Sequence, residues 1–146
     1  MSSSNDNTVT WRIHLQSSPS KVFEMLATQA GREQFWAESA IEESGHILFR
    51  FPGGEEWRGQ ILTAEPPRLF RVMYYGGSIA TFRLEPDGKT GTDLVLRDEN
   101  VPEPWVKDVH AGWISVLMAL KAAADYGIDL RNHDPQRTWN QGYADN

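Results

Sequence analysis

From His46 to Asp98 the chain alternates apolar and polar residues almost without pause. "HILFRF" puts Ile47, Phe49 and Phe51 on one side, and "WRGQILTA" puts Trp57, Gly59, Ile61 and Thr63 together. "LFRVMYY" does the same with Phe70, Val72 and Tyr74, "SIATFRLE" with Phe82 and Leu84, and "TDLVLRD" with Leu94 and Leu96. A period of two is the signature of half-buried strands. The interruptions are turn chemistry: "PGGEE", "EPPR" (which suits neither a helix nor a central strand), Gly76-Gly77 and "PDGKTG". Strands this closely spaced, joined by tight turns, pair with their chain neighbours. The expected product is one antiparallel meander with a single apolar face that must be covered.

The cover is legible downstream. Trp105 to Tyr126 is the longest helical stretch, with Gly127 placed to end it. At about 100° per residue, Trp105, Val109, Trp113, Val116, Leu117, Leu120 and Ala123 fall on one broad stripe. Ile114 and Met118 fall outside it, beside Lys107 and Ala111, as a narrow second strip on the back of the helix. Upstream, "TVTWRIHL" reads as a strand with Val9, Trp11, Ile13 and Leu15 inward. "SSPSKVFEMLAT" reads as a helix capped by Ser18 and opened by Pro19, with Val22, Phe23 and Leu26 on its apolar face. Gly31 ends that helix or opens a second short one through "REQFWAES", and "AIEE" is a short strand. The fold class is α+β: two short helices after the first strand, then a sheet covered by a long C-terminal helix. The length of 146 residues suits one domain. Residues 1–7 are expected to be a disordered lead-in, 8–127 the domain and 128–146 a tail.

Charge and composition exclude several functions. The formal net charge of −6 and the lack of a basic run disfavour nucleic acid and anionic lipid. With no cysteine there are no disulfides, thiol catalysis or cysteine metal sites, which fits a cytoplasmic protein. "MSSSNDN" has no apolar core of a signal peptide, and no apolar run is long enough for membrane insertion. His14, His46, His110 and His133 show no metal-ligand spacing, so no metal and no cofactor are expected. Glu42-Glu43 and Glu55-Glu56 are adjacent pairs in turns, read as solvated charges rather than facing catalytic carboxylates. No nucleophile elbow, phosphate loop or dinucleotide glycine pattern occurs, so nothing demands catalysis.

Three stretches resemble the START-like, helix-grip superfamily, and more narrowly its branch named after the activator of the heat-shock protein 90 ATPase. They are "SPSKVFEMLAT", "WRGQILTAEPPRLFRV" and "HAGWISVLMALK", in that order, and the resemblance spans about residues 8–127. It implies a curved antiparallel sheet wrapped around the C-terminal helix, with a cavity between them. Related members of the superfamily bind apolar molecules such as lipids, sterols and polyketides there, and some have become cyclases or hydrolases.

The candidate ligand cavity is walled by Trp36, Phe49, Phe51, Trp57, Val72, Tyr74, Phe82, Val109, Trp113 and Leu117. The same residues also suit a plain packed core, although large aromatics on both sheet and helix are hard to pack without a void. His110 flanks the helix stripe. It either turns an imidazole into the cavity or sits at the rim on a backbone hydrogen bond. The tail is polar, yet it carries Trp139 and Tyr143. These aromatics are expected to pack on Ile114 and Met118, of their own chain or of a second subunit in a symmetric homodimer. Three functions follow. The first is non-catalytic binding of a small apolar or amphipathic molecule. The second is a cyclase or hydrolase in the same cavity using His110 or Tyr74. The third is a chaperone-linked protein-interaction role of the kind the branch name implies.

Overall fold

The computed structural model describes residues 7–146. The expected lead-in lies outside the described residues except for Asn7, whose carbonyl accepts a hydrogen bond from the Val101 amide at 3.0 Å. Strand β1 is Val9–Leu15, followed by helices α1 (Pro19–Ala27) and α2 (Gln29–Arg32). Ser18 caps α1 by accepting from the Lys21 amide, and Thr28 both ends α1 and caps α2. Six strands follow: β2 (Ser39–Glu43), β3 (His46–Arg50), β4 (Glu56–Glu65), β5 (Leu69–Met73), β6 (Ile79–Pro86) and β7 (Thr92–Glu99). They form one seven-stranded antiparallel sheet ordered β1-β7-β6-β5-β4-β3-β2. Chain order from β2 to β7 is therefore the meander that the alternation demands, and β1 closes onto its last strand.

The curved sheet grips helix α3 (Val106–Tyr126). Ile47, Phe49, Phe70, Val72, Phe82, Leu84, Leu94 and Leu96 point inward from the strands and are buried. Trp113, Leu117 and Leu120 meet them from the helix, and Val22, Phe23 and Leu26 from α1. Burying each such side chain stabilises the fold by about 1.5–3 kcal/mol before chain entropy is counted. The sheet also needs backbone closeness. A Cβ on Gly59 would come within 2.0 Å of the Met73 carbonyl oxygen, so only glycine lets β4 and β5 meet beside the bulge at Ile61/Thr63. Gly76, at φ 71°, likewise admits Pro102 and Trp105 against the β5–β6 turn.

The far end of α3 is clamped. Gly127 adopts the left-handed conformation and returns its amide to Ala123 O at 3.1 Å. Asp125 accepts from the amides of Gln16 and Ser17 at 2.8 and 2.9 Å and from the Ser17 hydroxyl at 2.7 Å. Burial would raise the Asp125 pKa, but these donors outweigh it and hold the carboxyl below its usual range. Arg32 is deeply buried and donates to Leu26 O, Ala40 O and Glu42. Glu42 and Glu43 are exposed, as expected of a solvated pair, but they lie in β2 rather than a turn, and Glu42 also serves as the carboxylate partner that the buried guanidinium needs, 3.0 Å away.

Residues 128–146 follow a folded path against the domain. Arg131 donates to Ala37 O and Glu33 O at 2.9 and 2.8 Å, while Asp129 braces its guanidinium. His133 bridges Glu38 and Asp129, the latter at 2.7 Å. Thr138 opens a one-turn 3-10 helix, Trp139–Gln141, and is buried against the β3–β4 turn, where a Cβ on Gly53 would lie 3.0 Å from its methyl group. Asn132 donates its amide to Asp145 O at 2.7 Å, which closes the loop on itself. These anchors are polar and lie at the tail's edges, so they hold it beside the helix rather than on it. Consequently Ile114 and Met118 remain 43% and 47% exposed, and Trp139 and Tyr143 stay about as open. Within the chain the strip of Ile114 and Met118 is left substantially uncovered.

The hydrogen bond to Asp129 raises the His133 pKa, burial works against it, and Glu38 adds to the rise. Asp129 is itself held well below the carboxylate range: burial would raise it, but Arg131 and His133 outweigh that. A raised imidazole pKa means that this tie is complete below the ordinary value of about 6.5 and is lost as pH rises through the raised one. Hydrogen-exchange protection of the tail amides, corrected for intrinsic rate, should therefore fall as pH rises from about 6 to 9. In His133→Gln it should be flat. Flat protection in the wild-type chain would contradict the tie.

Candidate ligand pocket

A half-open groove of about 510 Å³ runs along the flank of the N-terminal half of α3. Trp36 and Phe35, from the segment after α2, help to line it. One wall is Phe51, Glu55 and Trp57, from the β3–β4 hairpin, with Tyr74 and Tyr75 at the end of β5. The helix contributes Trp105, Asp108, Val109, Gly112, Trp113 and Val116, and the tail closes the far side with Leu130, Arg131 and Trp139. Ile114 and Met118 line the mouth.

The structure divides the residues expected from sequence. Trp36, Phe51, Trp57, Tyr74, Val109 and Trp113 face the groove. Phe49, Val72, Phe82 and Leu117 do not: they are packed beneath it in the core at 3% exposure or less. Side chains from both sheet and helix fill the space directly between β5 and α3, so the void opens on the helix flank, where Gly112 has no side chain. His110 also lies elsewhere. Its ring packs at a tilt against Trp11, with centroids 4.6 Å apart, and its carbonyl accepts the Trp11 indole N–H at 2.9 Å. Trp139 of the tail lines the groove, whereas Tyr143 does not.

Beneath the groove lies a network of indoles and two acceptors. Trp36 Nε1 donates to Tyr74 Oη at 2.9 Å, and Trp113 Nε1 donates to Asp98 Oδ2 at 2.9 Å. The rings are mutually packed, with centroids 5.1 Å apart for Tyr74–Trp113 and 5.9 Å for Trp36–Trp113. Burial pushes the Tyr74 phenol well above its usual range and raises the Asp98 carboxyl. Asp98 Oδ1, Ser78 Oγ and Trp57 Nε1 are buried without a hydrogen-bond partner. Asp98 itself is 1% exposed, so this carboxyl supports the floor and does not meet solvent.

Aromatic faces and aliphatic groups offer apolar contact, and the exposed walls supply a few polar groups. Among the described residues lining the groove there is no histidine to serve as a base. His110, expected in the cavity wall and offered there with Tyr74 for the cyclase or hydrolase alternative, does not line the groove, and the Tyr74 hydroxyl is engaged by Trp36. Nor do the described residues hold a group of three or more His, Asp or Glu side chains able to bind a metal ion. No helix among them is long and apolar enough to cross a membrane.

Among curated proteins none matches the chain. Among solved structures, a protein from Staphylococcus saprophyticus is 22% identical with a TM-score of 0.72, covering 85% of this chain and 96% of that one. The Aha1 dimer from Colwellia psychrerythraea, solved in solution, is 23% identical with a TM-score of 0.73, covering 82% and 97%. A protein from Chromobacterium violaceum is 20% identical with a TM-score of 0.67, covering 82% and 98%. At these identities the likeness establishes the helix-grip fold alone. The family model described as Activator of Hsp90 ATPase homolog 1-like protein matches residues 16–125, and on that span the chain belongs to this branch of the START-like superfamily.

Proposed function

We propose that the protein binds a small apolar or amphipathic molecule in the groove beside α3, without transforming it. The observation that carries this reading is an aromatic-walled space of about 510 Å³, inside the range of about 300–1,000 Å³ usual for ligand sites. The absence of cysteine from the chain fits action in the cytoplasm. The family description names a chaperone ATPase activator, but a docking role alone requires no such space.

Gly112 supplies the test. It lines the groove, and a Cβ built there meets nothing within 4 Å. Gly112→Leu should fill the space without disturbing the core. It should melt no lower than wild type, because a mid-helix glycine costs roughly 0.5–1 kcal/mol relative to alanine. Tryptophan fluorescence should show saturable binding of a neutral apolar probe to wild type and at least about ten-fold weaker binding to the variant, the effect of about 1.4 kcal/mol lost. Equal binding by both proteins would place the ligand elsewhere.

A second reading rests on Ile114 and Met118, which remain exposed at the mouth. This strip suits a second copy of the chain, and the fold relative from Colwellia is a dimer. Sedimentation velocity should show a dimer for wild type and a monomer for Met118→Asp. A wild-type monomer at high concentration would contradict the pairing.

A further inference from the structure

The walls of the groove carry charge as well as rings. Phe51, Trp57, Tyr75 and Trp105 form a continuous aromatic ribbon, with successive centroids 4.5, 4.6 and 5.0 Å apart. A carboxylate lines the groove beside each end of it. Glu55 is two residues before Trp57 in extended chain, and Asp108 is one helical turn beyond Trp105. Neither takes part in an ion pair among the described residues, whereas the neighbouring Glu56 is paired with Arg50 at 2.9 Å. Asp145, a third lining carboxylate, accepts only from the neutral amide of Asn132.

Among the described residues one cation lines the groove, and it is already committed. Arg131 spends its guanidinium on Asp129 and on the carbonyls of Ala37 and Glu33, and its side chain is 7% exposed. An anionic head group entering here would meet three carboxylates and no available donor cation. A cationic head group would meet the aromatic rings of the ribbon with a carboxylate at either end, a setting that favours ammonium groups. Exposed carboxylates alone act weakly through water, but beside aromatic faces that exclude part of that water they act more strongly.

Building on the binding function proposed above, we infer that the ligand is an amphipathic cation. Its apolar body lies along α3, and its ammonium or amidinium-type head sits on the Trp57–Tyr75–Trp105 ribbon between Glu55 and Asp108. Glu55 and Asp108 then set specificity for charge, while Gly112 provides space for the body.

The test uses the full chain and three probes of equal length: decyltrimethylammonium, decanol and decanoate, each below its micelle concentration. Binding is followed by tryptophan fluorescence and calorimetry. The cation should bind about ten-fold tighter than the alcohol, with decanoate weakest, and the preference should shrink with added salt. Glu55→Gln with Asp108→Asn should bring the cation down to the affinity of the alcohol and leave the alcohol unchanged. Gly112→Leu should weaken all three. Equal binding of cation and alcohol to wild type would overturn the charge inference while leaving the groove as an apolar site. So would a preference for decanoate, or a cation preference that survives the double substitution. If no probe binds, or if Gly112→Leu binds all three as wild type does, the groove reading itself fails and the inference falls with it.

Discussion

Two indole hydrogen bonds hold the centre of this fold. Trp113 of α3 reaches Asp98 on β7, and Trp36, from the segment after α2, reaches Tyr74 at the end of β5. Each ties an element outside the sheet to a strand within it, and the rings then pack on one another. An apolar contact can slide, but a buried donor and acceptor tolerate little displacement before one of them is left unsatisfied. The helix is thereby fixed in position over the sheet, and its far end is fixed by Asp125 against the β1–α1 corner. The large residues between these two ends fill the core.

The groove follows from where that packing stops. With the broad side of α3 committed to the sheet, the flank bearing Asp108, Gly112 and Ser115 looks outward onto the β3–β4 hairpin. Glycine at 112 leaves a gap that the hairpin aromatics do not reach. The tail passes the same gap, but its anchors are polar and lie on Glu33, Ala37, Glu38 and the β3–β4 turn. A tail fixed at its edges makes a wall, not a plug, and Trp139, Ile114 and Met118 all line the space left open and stay exposed. The resulting site is apolar in its body and acidic at its ends.

Most of the architecture was legible in the chain because it rests on period. Inward residues such as Phe49, Val72 and Leu96 are where alternation puts them, and Gly127 ends α3 as its position implies. The limits of the groove were less legible, because periodicity gives a side chain's face but not whether a neighbour fills the space before it. Phe82 and Leu117 share faces with groove residues yet lie in solid core. Asp98 carried a usable signal: continuing the alternation of Leu94 and Leu96 by one step puts it inside. Glu55 did too, since it lies two positions before Trp57. Gly112 was a third, because a glycine in mid-helix weakens the helix unless the missing side chain matters. Arg32 had no such mark. Its burial depends on carbonyls at Leu26 and Ala40 that only the folded chain brings together.

The six tryptophans offer the most direct measurement. Their indole N–H resonances report separately on the frame and on the groove. Trp11, Trp36 and Trp113 donate their indole N–H to protein acceptors, whereas the indole N–H groups of Trp57, Trp105 and Trp139, which line the groove, have no acceptor among the described residues; Trp36 and Trp113 also border the groove, and Trp11 does not. In a proton–nitrogen correlation spectrum, an apolar probe added in steps should shift Trp57, Trp105 and Trp139 along one saturation curve. Trp11 should hold its position, and Trp36 and Trp113, tied to Tyr74 and Asp98, should exchange slowly with solvent. Movement of Trp113 with the groove indoles fixed would contradict the account, because the probe would then be entering the core rather than the groove beside it.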